Sequence, residues 1–332
     1  MKLKNAATNL GLLAATALFF FGGIEVTLRL TGLQTVKPNP PQIYQQSDYT
    51  DISYELRPNI RKKAYRNWVT TNSLGFRSPE LDGKKETILM VGDSIAFGYG
   101  VADDETLAVQ LSTLLPKWNI LNTAVPGYHL GMQTALYREK LREIDHSALM
   151  LVFHYNDFEA QTGWLDDIGI IRAPGWEPAE AQCTPITEGL LKLLPGKCWL
   201  DIHSAFYKAT KKLVNMRHAG EMLEEAREGD IVMAEAHTIT DEQMRMYLAQ
   251  LDALEDVLVP YTSKVFVIWP DRYLHETSRP TLKAEVEKRG YTVIDLYDTF
   301  SNEVEVLGWD TVHPSARAVK QAASEIVHEL GL

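Results

Sequence analysis

Two short stretches, far apart in the chain, carry the residue types that could do chemistry together. In the first, the apolar run Thr87-Ile88-Leu89-Met90-Val91 leads directly into Gly92-Asp93-Ser94. A serine on a tight strand-to-helix turn presents its hydroxyl above a sheet, where helix-terminal N–H groups can stabilise an oxyanion. Gly92 permits such a turn, although Ser or Asp there would serve equally well as a plain helix N-cap. The residues around Ser94 do not form a Gly-x-Ser-x-Gly elbow, and no Gly-Lys-Ser/Thr follows, so neither that turn nor a Walker loop is encoded. The second stretch is Trp309-Asp310-Thr311-Val312-His313-Pro314. An Asp three residues before a His, in a loop stopped by Pro, can set its carboxylate against one imidazole nitrogen and leave the other free as a base.

The elements between them must bring these stretches together. Beyond residue 85 the pattern alternates strand and helix. Strands are expected at Thr87–Val91, Asn119–Asn122, Ala148–His154, Lys264–Trp269 and Thr292–Asp295. Helices are expected near Glu105–Leu115, Met132–Ile144, Asp241–Val259, Thr281–Arg289 and Ser315–Leu330. Buried strands alternating with helices imply an α/β fold of three layers with one doubly wound, five-stranded parallel sheet. Sites in such sheets lie at the carboxyl ends of the strands, which puts the Ser94 and Asp310–His313 loops side by side.

The rest of the chain bounds the setting. It has 332 residues with a net charge of −11, which argues against a nucleic-acid partner, since affinity for a polyanion needs clustered Lys and Arg. From Ala6 to Ile24 no charge occurs, a span of about 28 Å as a helix. Lys2 and Lys4 precede it and no good Ala-x-Ala site follows, so residues 1–30 read as an uncleaved signal anchor, with secretion after cleavage as the alternative. The positive-inside rule leaves the remaining mass outside the cytoplasm.

Residues 31–85 form a membrane-proximal extension with a stiff Pro38–Pro41 linker and β-prone stretches at Tyr54–Asn59 and Val69–Arg77. Arg57, Arg61, Lys62, Lys63 and Arg66 lie between these, as a solvated edge strand or a contact for anionic headgroups.

An insertion of roughly residues 160–240 interrupts the domain that begins at 86 and is the natural lid or substrate wall. It contains Trp164, Trp176 and Trp199, expected to pack, with stacking on sugar rings as the alternative, and a stretch reading as helical from Ile202 to Arg227. It also contains the only two cysteines, Cys183 and Cys198. In an oxidising compartment their bridge adds about 3 kcal/mol, the alternative being two thiols.

From Thr87 to Leu330 the sequence resembles the GDSL, or SGNH, hydrolase superfamily. Its four blocks occur in order as Gly92-Asp93-Ser94, Asn122-Thr123-Ala124-Val125-Pro126-Gly127-Tyr128, His154-Tyr155-Asn156-Asp157 and Asp310-Thr311-Val312-His313. The resemblance implies a flavodoxin-like sheet, Ser94 as nucleophile, His313 as base and Asp310 as its orienting partner. It also implies an oxyanion hole made by the N–H of Ser94, the N–H of Gly127 and the side chain of Asn156. His154 stands where Gly is usual, and it, His129 and Asp93 are candidate substrate contacts. No metal or cofactor is implied.

Tyr54–Arg77 resembles the extension of bacterial membrane-anchored members. The expectation is therefore a periplasmic or extracytoplasmic serine esterase at the inner membrane, acting on O-acyl, above all O-acetyl, esters of envelope or exported carbohydrate. The same residues would serve an O-acyltransferase or a lysophospholipase, and a silent binding or assembly protein could keep the fold.

Overall fold

The five apolar runs pair into one sheet in the computed structural model, which describes residues 2–34, 40–159, 162–177, 196–214, 217 and 239–331. The strands are β5 (Glu86–Gly92), β6 (Trp118–Asn122), β7 (Ala148–Phe153), β10 (Ser263–Ile268) and β11 (Thr292–Asp295), in the spatial order β11-β10-β7-β5-β6. All four pairings are parallel. Met90 faces Asn122 on one side and Met150 on the other, and Phe266 faces Leu151 and Val293. β7 is central and buried at all six positions, which is why it reads ALMLVF without alternation.

The strand order reverses between β5 and β7, so right-handed crossovers send helices to both faces. The helix Leu107–Leu114 packs with the last helix, Ala316–Leu330, while Leu130–Glu139 packs with Asp241–Val257. The last helix shows how local signals fix an element. Ser315 caps its start by accepting from the Ala318 amide, Gly331 closes it in the left-handed region, and Ala318, Val319, Ala322, Ala323 and Ile326 form its buried stripe. The helix expected over Met132–Ile144 stops at Glu139, because Lys140 leaves helical geometry before a 3₁₀ turn at Leu141–Glu143.

The chain divides into two compact units, Met1–Asn39 with Gly175–Gly220 and Pro40–Pro174 with Glu221–Leu332. Residue 85 is therefore not a packing boundary. β1 (Tyr44–Gln46) pairs antiparallel with β2 (Tyr54–Leu56), and β3 (Arg61–Ala64) with β4 (Asn67–Thr70). Ile43, Tyr54, Leu56, Val69 and Phe76 join the same apolar core as β5 and β7. Arg61, Lys62 and Lys63 point to solvent along β3, as a solvated strand would place them.

Arg77 is the exception among the basic residues, at 3% exposed. Its guanidinium donates to the carbonyls of Gly98 (2.7 Å), Val101 (2.9 Å) and Trp68 (3.1 Å) and to Asp103 Oδ1 (2.9 Å). The extension thereby braces the turn that follows the nucleophile segment.

In the other unit, the helix Lys2–Thr31 leaves Leu10, Leu12, Leu13, Leu18 and Phe19 exposed, and Thr8–Thr31 is long and apolar enough to cross a membrane. The expected helix over Ile202–Arg227 differs. A helix runs Lys197–His203, Ser204 breaks it with extended geometry, and residues 205–214 resume. Cys198 lies in the first of these and is disulfide-bonded, whereas Cys183 and most of the Pro38–Pro41 linker lie outside the described residues. Trp164, Trp176 and Trp199 are exposed, at 45%, 37% and 60%, where packing was expected.

Arg77→Met should lower unfolding free energy by about 3–5 kcal/mol, because it strands buried carbonyls and leaves Asp103 without its partner. Chemical denaturation of the two proteins measures this, and a shift under about 1 kcal/mol would show that the brace is dispensable.

Candidate active site

The turn after β5 admits only glycine at its first position. A Cβ on Gly92 would lie 2.7 Å from Ala96 Cβ and 2.9 Å from the Val152 carbonyl. Asp93 then caps the short helix Ser94–Phe97, its Oδ1 accepting from the Ile95 amide at 2.8 Å. Ser94 opens that helix with its hydroxyl at the carboxyl edge of the sheet. The amide N–H groups of Ser94 and Gly127 make no hydrogen bond to any described residue.

Ser94 Oγ lies 2.9 Å from His313 Nε2, and His313 Nδ1 lies 2.9 Å from Asp310 Oδ2. Asp310 Oδ1 also accepts the amides of Val312 (2.8 Å) and His313 (2.9 Å). Burial alone would push the Asp310 carboxyl up. The bonds from the His313 ring and from the His313 and Val312 amides outweigh it and hold the carboxyl at about 2. An ionised Asp310 fixes the Nδ1–H tautomer and turns the Nε2 lone pair toward Ser94. The loop is tied by the Leu307 amide donating to the His313 carbonyl at 2.9 Å.

One face of the His313 ring is covered by Tyr99, with centroids 4.0 Å apart and planes at 22°. Tyr65, from the turn between β3 and β4, stacks in turn on Tyr99 at 4.1 Å.

The second and third blocks meet the same edge. Gly127 has φ of 80°, and a Cβ there would stand 2.7 Å from the Tyr54 hydroxyl, which donates to the Pro126 carbonyl at 2.8 Å. Asn156 follows β7 with its side chain exposed, and its amide is held at both ends. Its Nδ2 donates to Asp93 Oδ2 and its Oδ1 meets His154 Nδ1, both at 2.8 Å. One N–H of the amide thus goes to Asp93 and the other remains for a ligand.

Three residues expected as substrate contacts make internal hydrogen bonds here. Asp93 is 1% exposed, and both its carboxylate oxygens are occupied, one by the Ile95 cap and the other by Asn156. His154 is buried and orients Asn156. His129 caps the helix Leu130–Glu139 through Nδ1, which accepts the Gly131 amide at 3.1 Å, while Nε2 meets Thr162 Oγ1 at 3.0 Å. Burial lowers its basicity.

Tyr54, Tyr65 and Tyr99 were not foreseen, because Tyr65 and Tyr99 lie in turns and Tyr54 in a three-residue strand, none of which leaves a periodic signal. Asp157 also went unread. It is fully buried, and burial, with Asp93 beside it, pushes its carboxyl well above the ordinary carboxylate range.

A cavity of about 340 Å³ opens beside Asn156, Thr311 and Val312. Asp271, Arg272, Gln243 and Asn302 give it a polar lining, and Tyr155 and Tyr273 give it aromatic walls. Burial pushes the Asp271 carboxyl up, but the bond from His275 and the nearby His154 outweigh this and lower it. Among the described residues, only Glu325, His328 and Glu329, on the surface of the last helix, stand close enough to share a metal ion.

No family model and no curated protein matches the sequence. Among solved structures the chain is similar to TesA, at 10% identity and a TM-score of 0.42, over 74% of this chain and 98% of that one. It is similar to a member of the lipolytic protein G-D-S-L family from Veillonella parvula, at 11% identity and a TM-score of 0.38, over 73% and 97%. It is also similar to Axe2, an acetylxylan esterase from Geobacillus stearothermophilus, at 15% identity and a TM-score of 0.40, over 76% and 96%.

A serine hydrogen-bonded to an imidazole that is itself held by a carboxylate is the arrangement that activates a hydroxyl nucleophile. A fluorophosphonate should therefore label Ser94 covalently and should not label the Ser94→Ala protein, as read by intact mass and peptide mapping. Labelling elsewhere would point to a different nucleophile.

Proposed function

We propose that the protein is a serine esterase that cleaves O-acyl, chiefly O-acetyl, esters of an envelope or exported carbohydrate. The observation that carries the reading is the run of two 2.9 Å hydrogen bonds from Ser94 through His313 to Asp310. Ser94 Oγ attacks the ester carbonyl as its proton passes to His313 Nε2, and Asp310 stabilises the imidazolium that forms. The tetrahedral oxyanion is met by the amides of Ser94 and Gly127 and by the free N–H of Asn156, each such donor being worth about 2.7–4 kcal/mol in the transition state. Collapse expels the alcohol, which takes the proton from His313. Water then attacks the acyl-serine by the same route in reverse, releasing the acid and restoring Ser94.

The cavity beside Asn156 sets Asp271, Arg272, Gln243 and Asn302 among apolar residues such as Phe158, Ile239 and Val304, and those polar side chains support recognition of a hydroxylated substrate. The apolar N-terminal helix supports a single-pass anchor in the inner membrane, with the catalytic unit in the periplasm. An acyltransferase would hand the same acyl group to a sugar hydroxyl instead of water.

Purified protein should turn over a chromogenic acetate ester, and Ser94→Ala should abolish it. Absence of turnover by the unaltered protein would sink the esterase reading. With acetylated polysaccharide the expected product is free acetate, while acceptor-dependent addition of mass to an oligosaccharide would establish transfer.

Asp310→Asn should lower kcat by about 10⁴-fold, since the amide removes the charge that fixes the tautomer. His154→Ala should lower kcat while leaving KM nearly unchanged, and its effect should largely vanish in an Asn156→Ala background, because it acts only through that amide. Equal effects in both backgrounds would assign His154 a separate role.

A further inference from the structure

The strongest feature outside the catalytic unit is the junction between the end of the apolar N-terminal helix and the helical residues 205–214. Glu25 is the first charge after the uncharged run Ala6–Ile24, so in an anchored chain it marks the level of the headgroups. Its carboxylate does not face solvent alone. It accepts from Ser204 Oγ (3.0 Å) and from the amides of Ala205 (2.8 Å) and Phe206 (2.7 Å), the first donors of the 205–214 helix. A carboxylate is the favoured partner for such orphan donors. Arg29 pairs with Glu25 and also donates to the His203 carbonyl, and Phe21 packs on Phe206 with centroids 5.3 Å apart.

The tethered helix is amphipathic. Phe206, Ala209, Thr210 and Leu213 recur at helical spacing on one face, and Lys208, Lys211 and Lys212 lie on the other. Its far end leaves Leu213 and Val214 exposed at 68% and 61%. Between residues 202 and 220 there are four Lys or Arg and no Asp or Glu, in a chain whose net charge is −11. The segment thus carries the sign opposite to the protein as a whole and the same as a bilayer-surface helix.

We propose that residues 205–214 lie on the anionic surface of the membrane that the N-terminal helix enters, with Leu213 and Val214 among the lipids, and that Glu25 fixes them there. The occupant of this face is lipid because the helix begins at the headgroup level by virtue of its tether. At 1.5 Å per residue, Leu213 is only about 12 Å from that point. The proposal rests on the anchor reading and implies that the N-terminal helix is a retained part of the fold, since Glu25 caps a helix of the mature chain.

The test uses the full chain in phosphatidylcholine vesicles with and without phosphatidylglycerol. An environment-sensitive thiol fluorophore is placed on Leu213→Cys or, as a control, Leu13→Cys, with the native cysteines left unreduced. Brominated lipid and aqueous iodide serve as quenchers. The expected result at 213 is blue-shifted emission, quenching by brominated lipid and loss of iodide quenching, strongest with phosphatidylglycerol. K208Q/K211Q/K212Q should remove the difference between the two vesicle types. Glu25→Gln should restore iodide access at 213 while leaving 13 in lipid and ester turnover intact, which shows that the fold survives.

Iodide access at 213 in both vesicle types, with 13 in lipid, overturns the surface helix but keeps the anchor. Shielding of 213 from both quenchers means that protein covers it, and also overturns the proposal. Iodide access at 13 removes the anchor reading, and this proposal with it.

Discussion

The hydrogen bond between Ser94 and His313 joins residues 219 positions apart, and the remaining structure is arranged to hold it near 2.9 Å. A serine hydroxyl is a weak nucleophile at neutral pH unless a base stands within reach. The parallel sheet supplies the distance constraint. β5 delivers Ser94 to the edge where the order of strands reverses, and β7 delivers Asn156 to the adjacent position. His313 arrives from a loop stiffened by its own aspartate, which takes two backbone amides as well as the ring.

Asp93 links the turn at Ser94 to Asn156. One carboxylate oxygen caps the helix that begins at Ser94, and the other holds Asn156, so a shift of either loop would strain both. A buried carboxylate is costly unless it is hydrogen-bonded, and here both oxygens are satisfied. Asp157 differs. Burial, with Asp93 beside it, pushes its carboxyl well above the ordinary carboxylate range. His154 completes the clamp by fixing which end of the Asn156 amide faces outward.

The segment between residues 40 and 85 belongs to the same compact unit as the five-stranded sheet. Tyr54 determines that residue 127 must be glycine and holds the adjacent carbonyl, Arg77 ties the turn after Ser94, and Tyr65 backs the ring that covers His313. Each acts through groups that have no partner in the five-stranded sheet itself. Removing this segment would therefore loosen the site as well as expose core.

The sequence by itself determined the five strands and their flanking helices, and it singled out Ser94, Asp310 and His313, which the structure brings within hydrogen-bond distance. Buried parallel strands must be continuously apolar, and a histidine held by a nearby aspartate leaves a local spacing. It also marked His154 as unusual, but as a candidate substrate contact. Only the tertiary structure shows the hydrogen bonds that Asp93, His129 and His154 make within the chain, since a polar side chain's partners depend on which groups lie near it in the fold. The same holds for residues 40–85 and for Glu25. Exposed or buried, paired or free, their states are set by partners many residues away, and no spacing along the chain records those contacts.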